Sequence, residues 1–394
     1  MRIGVLGGGQ LGRMLGSAGA SLGFSFTFLE PAEECPAATT GSWIRAGFDD
    51  GNALGELASR SDIITYEFEN VPAEAVRTLA ARLPVHPSVV SLEAAQDRLN
   101  EKTLFQRLEI PTPRFETVEG AAALARAAGR VGLPAVLKTR SMGYDGRGQR
   151  TLREPADVAP ALAALGERAL LLEQHVPFER ELSIVGVRGR SGEVAFYPPV
   201  ENRHREGILR WSLAPAPGLA PALRDRAEGY ALLLMEALGH VGVLALELFQ
   251  TGGELLANEM APRVHNSGHW TIEGASTSQF ENHLRAIAGL PLGATDVPRP
   301  CAMVNLIGEL PALAPAAAVE GAHVHLYGKQ PRPGRKLGHI TLCADDAEAL
   351  RQGLEALWPL LGASTGGFPM ASGPKAGGER TGPAKVARAG GEHE

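Results

Sequence analysis

Cysteine is scarce. Cys35, Cys301 and Cys343 are the only three, far apart and without metal-ligand spacing. A cysteine-bound metal is therefore not expected, and the pattern fits a reduced, cytoplasmic setting. No apolar run reaches the length that crosses a bilayer, so no membrane partner is expected. Positive charge is not in excess either. The net charge is −6 over 394 residues, which argues against a nucleic-acid partner and requires any anionic ligand to be met by local basic groups. Internal repeats are absent, and no glycine-rich segment is followed by the Gly-Lys-Ser/Thr of a Walker loop. The first residues, 2–6, read directly as a strand, so no secretory signal is expected. What remains is ordinary globular material: 44% apolar and 21% charged residues, in a chain long enough for two or three domains.

One stretch concentrates the chemistry. Residues 244–250 and 255–261 are apolar runs joined by the short polar turn Thr251-Gly-Gly-Glu254, which predicts a strand hairpin. Each strand carries one carboxylate in apolar surroundings, Glu247 and Glu259, with Asn258 beside the second. Two acids facing each other across a hairpin repel unless a cation lies between them. Hard oxygen ligands with room for phosphate suit Mg²⁺. An isolated strand Glu is more often merely exposed, but here the run leads straight into Arg263-Val-His-Asn-Ser-Gly-His269.

The chain opens with a strand at 2–6, then Gly7-Gly-Gly-Gln-Leu-Gly12, a helical pattern and a second strand at 25–29 ending in Glu30. This G-x-G-x-x-G, with an acid 18 residues beyond Gly12, matches a dinucleotide-binding opening in which Glu30 holds a ribose. Its physical content is narrower: bare N–H groups and a helix start that accept an anion. A strand at 63–66 ends at Glu67-Phe-Glu-Asn70, where ligands gather in open α/β sheets, although a solvated loop reads equally well for Glu67 and Glu69. Helices are predicted over 97–108, 121–131, 224–238 and 278–288, and strands over 135–138, 170–176, 181–187 and 192–197. Gly143-Tyr-Asp-Gly-Arg-Gly-Gln149, after Lys138, reads either as a hairpin turn or as a flap over polyphosphate. His204 sits in a polar run, 202–205, read as a loop with a solvated His. The last section carries strands at 302–308, 323–327 and 339–343. Between the last two lies a turn, 329–336, with four cations in eight residues, which is either a solvated hairpin tip or an anion site.

Three of these pieces, the segment 143–149, the run 258–271 and the segment 332–339, together with the opening Gly9-Gln-Leu-Gly12, resemble the ATP-grasp carboxylate–amine ligases of purine biosynthesis. Within them the chain is most similar to the 5-(carboxyamino)imidazole ribonucleotide synthetases, from Gly4 to about Leu361. The resemblance implies an α/β and α+β multidomain chain with an ATP-grasp fold. A Rossmann-like pre-ATP-grasp domain (1–100) precedes the ATP-grasp domain (101–300, mobile lid about 114–185). A small C-terminal domain (301–366) follows, then a tail at 367–394 whose composition predicts disorder.

The same resemblance assigns roles. It puts Arg98, Lys138, Gly143, Tyr144, Asp145, Gly146, Arg147, Gly148, Gln149, Glu173, Gln174, His175, Val176, Glu181, His204, Asn258 and Glu259 at ATP, and makes Glu247 and Glu259 the Mg²⁺ ligands. A formyl-phosphate-forming relative suggests ribonucleotide contacts at Gln10, Leu11, Glu69, Lys329, Arg335 and Lys336. From its spacing beyond Glu259 we read Arg263, His265 and Asn266 as the holders of bicarbonate and carboxyphosphate, with neutral His265 also able to take the amine's proton. The implied substrates are ATP, bicarbonate and aminoimidazole ribonucleotide, and the implied assembly is a homodimer. Three rivals stay open: a dinucleotide oxidoreductase, a formate-dependent glycinamide ribonucleotide transformylase of the same architecture, and a non-catalytic nucleotide-binding scaffold.

Overall fold

The computed structural model describes residues 1–143, 148–166 and 168–361. The flap residues 144–147 and the tail expected to be disordered lie outside them. The first unit comprises β1 (Arg2–Leu6), α1 (Gln10–Ala20), β2 (Ser25–Leu29), β3 (Ser42–Ile44), α2 (Gly51–Ser59), β4 (Ile63–Tyr66), α3 (Ala73–Ala80), α4 (Val89–Gln96) and α5 (Arg98–Arg107). Its strands pair in parallel in the order β3-β2-β1-β4. Ile3, Val5, Leu6, Phe28, Leu29 and Ile64 are buried, because a parallel sheet is covered on both faces and has no polar side to show. Asp50 and Asp97 cap α2 and α5 by accepting N–H groups from their first turns.

The second unit holds β5 (Phe115–Val118), α6 (Ala121–Val131), β6 (Ala135–Thr139), β7 (Gln149–Leu152), α7 (Val158–Leu165) and β8 (Leu170–Gln174). Its antiparallel sheet, β5-β8-β6-β7, has its own small core around Leu124, Leu137 and Leu172.

The rest follows as β9 (Arg180–Arg188), β10 (Val194–Phe196), β11 (Val200–Arg205), β12 (Ile208–Ala214), α8 (Pro221–Ala237), β13 (Gly242–Thr251), β14 (Glu254–Ala261), α9 (Thr271–Gly274), α10 (Gln279–Ala288), β15 (Cys301–Ile307), α11 (Leu313–Ala317), β16 (Ala322–Leu326), β17 (Lys336–Cys343) and α12 (Ala347–Leu357). One antiparallel sheet runs through it in the order β14-β13-β9-β11-β12-β15-β17-β16, with β10 beside β9.

Two expectations are corrected. The lid cannot reach residue 185, because β9 is a full partner of β13 from Gly242 to Gln250; the separate small sheet ends with β8. The C-terminal strands extend the central sheet, since β15 pairs with β12. Residues 202–205 are not a loop. They form the end of β11, paired with β12, and Asn202 is buried there among other polar side chains.

The first unit and the large sheet share a core. Ile3, Val5, Leu15 and Phe28 pack in one cluster with Val185, Val243, Phe280 and Leu284, and α1 lies against α10. A buried histidine pins the junction: His283 Nδ1 accepts the Val243 N–H at 3.1 Å, so Nε2 carries the proton and faces Thr65 Oγ1 at 2.9 Å. Burial, with no acid opposing it, holds this ring at about 3, hence neutral.

Candidate active site

A cleft of about 800 Å³ opens where the three units meet. Its walls carry Gln10, Leu11 and Glu69 from the first unit and Met142 and Gly143 from the edge of the second. The large sheet and its turns add Glu247, Glu259, Arg263, His265, Asn266, Lys329, Arg335 and Lys336. Arg98 and His204 line it as well. Residues more than three hundred positions apart in sequence thus face one space.

At the N-terminal end the glycine-rich turn is already filled by carboxylates. Gly8 N–H donates to Glu30 Oε2 at 2.9 Å, and the Gly9 and Gly12 N–H groups donate to Glu67 at 2.5 and 2.6 Å. Gly7 has φ +103°, and a Cβ there would fall 2.4 Å from Glu67 Cγ, so the motif's opening glycine makes room for this acid. Glu67 is buried, which corrects its reading as a solvated loop residue. The donors a dinucleotide's pyrophosphate would need are spent inside the protein, which counts against the oxidoreductase. It also removes Gly8, Gly9 and Gly12 as phosphate donors.

Against the glycine-rich turn stands the basic turn between β16 and β17. Lys329 Nζ bonds Gln10 Oε1, bringing two predicted ribonucleotide contacts together at the start of α1. Burial draws the Lys329 ammonium down to about 8 although Glu67 opposes it. Arg335 reaches Glu34 of the first unit at 2.7 Å, so it is tethered and not a solvated tip. Arg332 also lines this wall.

The hairpin pairs in the register Glu247↔Glu259, with a shift immediately after it that leaves Asn258 as the extra residue. The bulge keeps Leu255, Ala257 and Met260 all in the core while Glu259 turns to the cleft. The two acids differ sharply. Burial and then the Glu259 charge hold the Glu247 carboxyl well above the usual range. Burial acts on Glu259 too, but Arg98 and Lys138 outweigh it and keep it ionised; Arg98 Nη1 lies 3.0 Å from its Oε2. Asn258 Oδ1 is buried without a hydrogen-bond partner. Among the described residues no group of three or more His, Cys, Asp or Glu is arranged to hold a metal. Two carboxylates and an unsatisfied amide oxygen nevertheless fit Mg²⁺, which takes few protein ligands and completes its shell with phosphate and water.

Beyond Glu259 the chain turns into the segment read as the bicarbonate pocket. Gln279 grips the His265 backbone from both sides, accepting its N–H at 3.0 Å and donating to its C=O at 2.6 Å. Gly268 lets the Gln279 amide close in: a Cβ there would lie 2.6 Å from Gln279 Oε1. His265 Nε2 points to Glu247 Oε1 at 3.4 Å. Asn266 presents an amide whose oxygen and nitrogen are both buried and unpartnered. Arg263 stands in the same wall. It gives Nε and Nη2 to Glu69 and Nη1 to the Val264 carbonyl, so its fork is engaged by another predicted contact.

Behind the hairpin lies a buried charge cluster. Glu173 Oε2 is shared by Lys138 Nζ at 2.8 Å and Lys102 Nζ at 3.5 Å. Lys102 also donates to the Ala257 carbonyl, at 3.3 Å. Burial opposes the Glu173 charge, yet the two lysines draw its carboxyl down to about 2. His204 Nδ1 lies 3.1 Å from Glu181 Oε2, and this acid raises the ring to about 9 against the opposing effect of burial, so it is cationic at neutral pH.

Lys138, Glu173 and Asn258 thus stand beside the cleft's carboxylate pair, but they, like Gly148, Gln149, Gln174, His175, Val176 and Glu181, do not line the cleft itself. Gln174 and His175 spend their N–H groups on the Arg114 and Pro134 carbonyls where β8 leaves the small sheet. Sequence reasoning missed Glu67, Glu101, Lys102 and Arg140 as site-builders. Glu101 Oε1 accepts the Met260 N–H at 2.6 Å and seats β14. Arg140 makes a two-point contact with Asp97, joining the small sheet to the cap of α5. The available signal was four charged residues, Asp97, Arg98, Glu101 and Lys102, at the start of one helix whose other residues include buried Leu104 and Phe105.

Residues 1–96 match the model of a ribonucleotide synthetase preATP-grasp domain, 103–280 that of the ATP-grasp domain and 301–353 that of a phosphoribosylaminoimidazole carboxylase C-terminal domain. An N5-carboxyaminoimidazole ribonucleotide synthase of Pseudomonas aeruginosa is 54% identical over 348 residues, 88% of this chain and 96% of the relative. The crystal structure of the N5-carboxyaminoimidazole ribonucleotide synthetase of Thermus thermophilus superposes with a TM-score of 0.88 at 60% identity, covering 91% of this chain and 98% of its own. The N5-carboxyaminoimidazole synthase of Aspergillus clavatus, in complex with ADP and 5-aminoimidazole ribonucleotide, superposes with a TM-score of 0.85 at 32% identity over 91% and 98% of the two chains.

Proposed function

The chain belongs to the N5-carboxyaminoimidazole ribonucleotide synthase family, and from that premise we propose how its cleft divides the work. The enzyme is an ATP-grasp ligase of purine biosynthesis that carboxylates the amine of 5-aminoimidazole ribonucleotide at the cost of ATP, forming a C–N bond. ATP lies between the small sheet and the Glu247/Glu259 hairpin, its phosphates toward Lys138, Arg98 and cationic His204. The ribonucleotide lies at the other end, its phosphate against Lys329, Arg335 and Lys336 and the start of α1. Bicarbonate sits between them. One of its oxygens attacks the γ-phosphorus, ADP leaves, and carboxyphosphate results. The ring amine then takes the carboxyl group, inorganic phosphate departs and the amine loses a proton.

Phosphoryl transfer asks the protein mainly for positioning and charge neutralisation. Glu247 and Glu259 would hold Mg²⁺, which would supply charge neutralisation to the phosphates. Arg98 keeps Glu259 ionised for that purpose, and the Asn266 amide meets the bicarbonate. The observation that carries this reading is that amide: both its polar atoms are buried, unpartnered and in the cleft wall beside His265 and the hairpin. A buried amide left unsatisfied costs about 1–3 kcal/mol per group, a cost that a bound oxyanion with one protonated oxygen removes.

The test is ATP cleavage with bicarbonate, with and without aminoimidazole ribonucleotide, with formate as the control. Bicarbonate-dependent cleavage coupled to carboxylated product supports the reading; cleavage driven by formate overturns it. The division of the cleft has its own check. Arg335→Ala should raise KM for the ribonucleotide about tenfold, the value of one charge-assisted phosphate contact, and leave KM for ATP unchanged. An equal rise for both substrates contradicts the split.

A further inference from the structure

Beneath the carboxylate hairpin runs a line of buried hydroxyl and amide groups that no part of the chemistry above uses. Ser212 Oγ donates to Asn202 Oδ1 at 2.7 Å, Asn202 Nδ2 to Ser183 Oγ at 2.9 Å, and Ser183 Oγ to Ser267 Oγ at 2.7 Å. Ser267 Oγ then lies 2.8 Å from His265 Nδ1. Ser183, Asn202, Ser212 and Ser267 are all buried, on β9, β11, β12 and the turn after β14. The line ends at His265, whose Nε2 faces Glu247.

Its direction decides what that imidazole can do. A hydroxyl has one proton, so in this orientation each group passes one donation forward and Ser267 gives its own to Nδ1. Turning the Asn202 amide over would reverse every bond and make Nδ1 the donor. The Ser267 main chain forbids that: its N–H lies 3.3 Å from the same Nδ1, and an amide N–H cannot become an acceptor. Nδ1 therefore carries a lone pair, and the ring's only proton is on Nε2, 3.4 Å from Glu247 Oε1. The Gln279 clamp on the His265 backbone prevents the ring from leaving this arrangement by a loop movement.

We infer that Ser267, backed by the buried line Ser212–Asn202–Ser183, locks neutral His265 in the Nε2–H tautomer, so that His265 serves the cleft as a hydrogen-bond donor and not as a base. Ser267 is a positioning residue that acts through His265. The atom His265 shows the cleft has no lone pair, and the lone pair it has is covered. The sequence-based suggestion that His265 takes the amine's proton is thereby replaced. Resting on the proposed function for what the donor meets, the Nε2–H steadies the carboxyl group between Glu247 and Asn266. The amine's proton leaves on another acceptor, of which the departing phosphate is the nearest in kind.

The measurement is nitrogen-15 NMR of the full chain labelled at histidine, with His265→Gln assigning the His265 resonances. The expected result near pH 7.5 is an unprotonated, pyridine-type Nδ1 and a protonated Nε2. A protonated Nδ1, in either the other tautomer or an imidazolium, overturns the proposal. Ser267→Ala should move the Nδ1 resonance toward a tautomer average and lower the bicarbonate-dependent kcat/KM about tenfold, the worth of one lost orienting hydrogen bond. The remaining histidine signals report that the variant is folded. An unmoved Nδ1 resonance in that variant removes Ser267 from the account. The wild-type spectrum needs no turnover, so an enzyme that ignores bicarbonate sinks the functional reading while the tautomer result stands or falls alone.

Discussion

Glu259→Gln is expected to lower turnover about a thousandfold, corresponding to several kcal/mol of charge stabilisation that a cation held there would supply, in a chain that still folds. The expectation comes from the asymmetry of the carboxylate pair. Glu259 is the member kept ionised, by Arg98 at 3.0 Å and by Lys138, so it is the ligand a cation meets first. Burial and the Glu259 charge raise the Glu247 carboxyl to about 7, so below that pH cation binding there must displace a proton. Apparent Mg²⁺ affinity should therefore weaken as the pH falls from about 8 to about 6. Glu247→Gln should bind the cation more weakly and lose most of that pH dependence. Isothermal titration with Mg²⁺ and an ATP analogue at the two pH values measures both effects. Full turnover by Glu259→Gln at limiting Mg²⁺ would remove the hairpin from the metal site.

The second large effect concerns stability. Glu173→Gln should cost about 3–5 kcal/mol, because it leaves two lysines beside a buried neutral amide. Lys102 is fully enclosed, and its other contact is the Ala257 carbonyl; Lys138 is nearly as buried. The sign with pH follows from the carboxyl's position at about 2 against an ordinary 4.5. A depressed carboxyl stabilises fully above its unfolded value and loses that contribution as the pH falls through 4.5 toward 2. Urea unfolding of the ligand-free protein at neutral pH reads the loss directly. An unchanged midpoint without nucleotide would show that the lysines are satisfied elsewhere and that Glu173 matters only to ATP. Lys102→Met in the Glu173→Gln background should recover part of the loss, since it deletes the enclosed charge that Glu173 served.

Sequence reading succeeded where pattern and position coincide. The strands β1, β2 and β4 carry mainly apolar runs that stop at a glycine or an acid, and their limits follow from that. The hairpin was legible because two apolar runs flank a turn with two glycines, and its opposed acids follow from the register. Reading failed where a strand hides polar side chains. β11 shows Asn202, Arg203, His204 and Arg205 in succession, a loop by composition. Its partners are β9 and β12, and Asn202 belongs to the buried hydroxyl line. Glu67 failed for a related reason: its partners are backbone N–H groups 55 and 58 residues away, which leave no trace in the pattern around it. The Arg263–Glu69 pair is likewise invisible in local pattern. Arg263 is four residues from Glu259, yet it turns to an acid 194 residues away.

The continuity of the central sheet through β12 and β15 bears on how this chain can be cut and inherited. Family models recognise three successive segments, but the boundary near residue 300 is not a seam in the material. A chain ending there would bare the Trp211–Ala214 edge that β15 now covers from Cys301 to Val304. Exposed strand edges recruit other chains. The same cut would remove Lys329, Arg335 and Lys336, so solubility and the proposed ribonucleotide contacts would be lost together. Swapping this segment between relatives is therefore constrained twice over: the donor strand must fit the recipient's ladder before its cations can face the recipient's substrate.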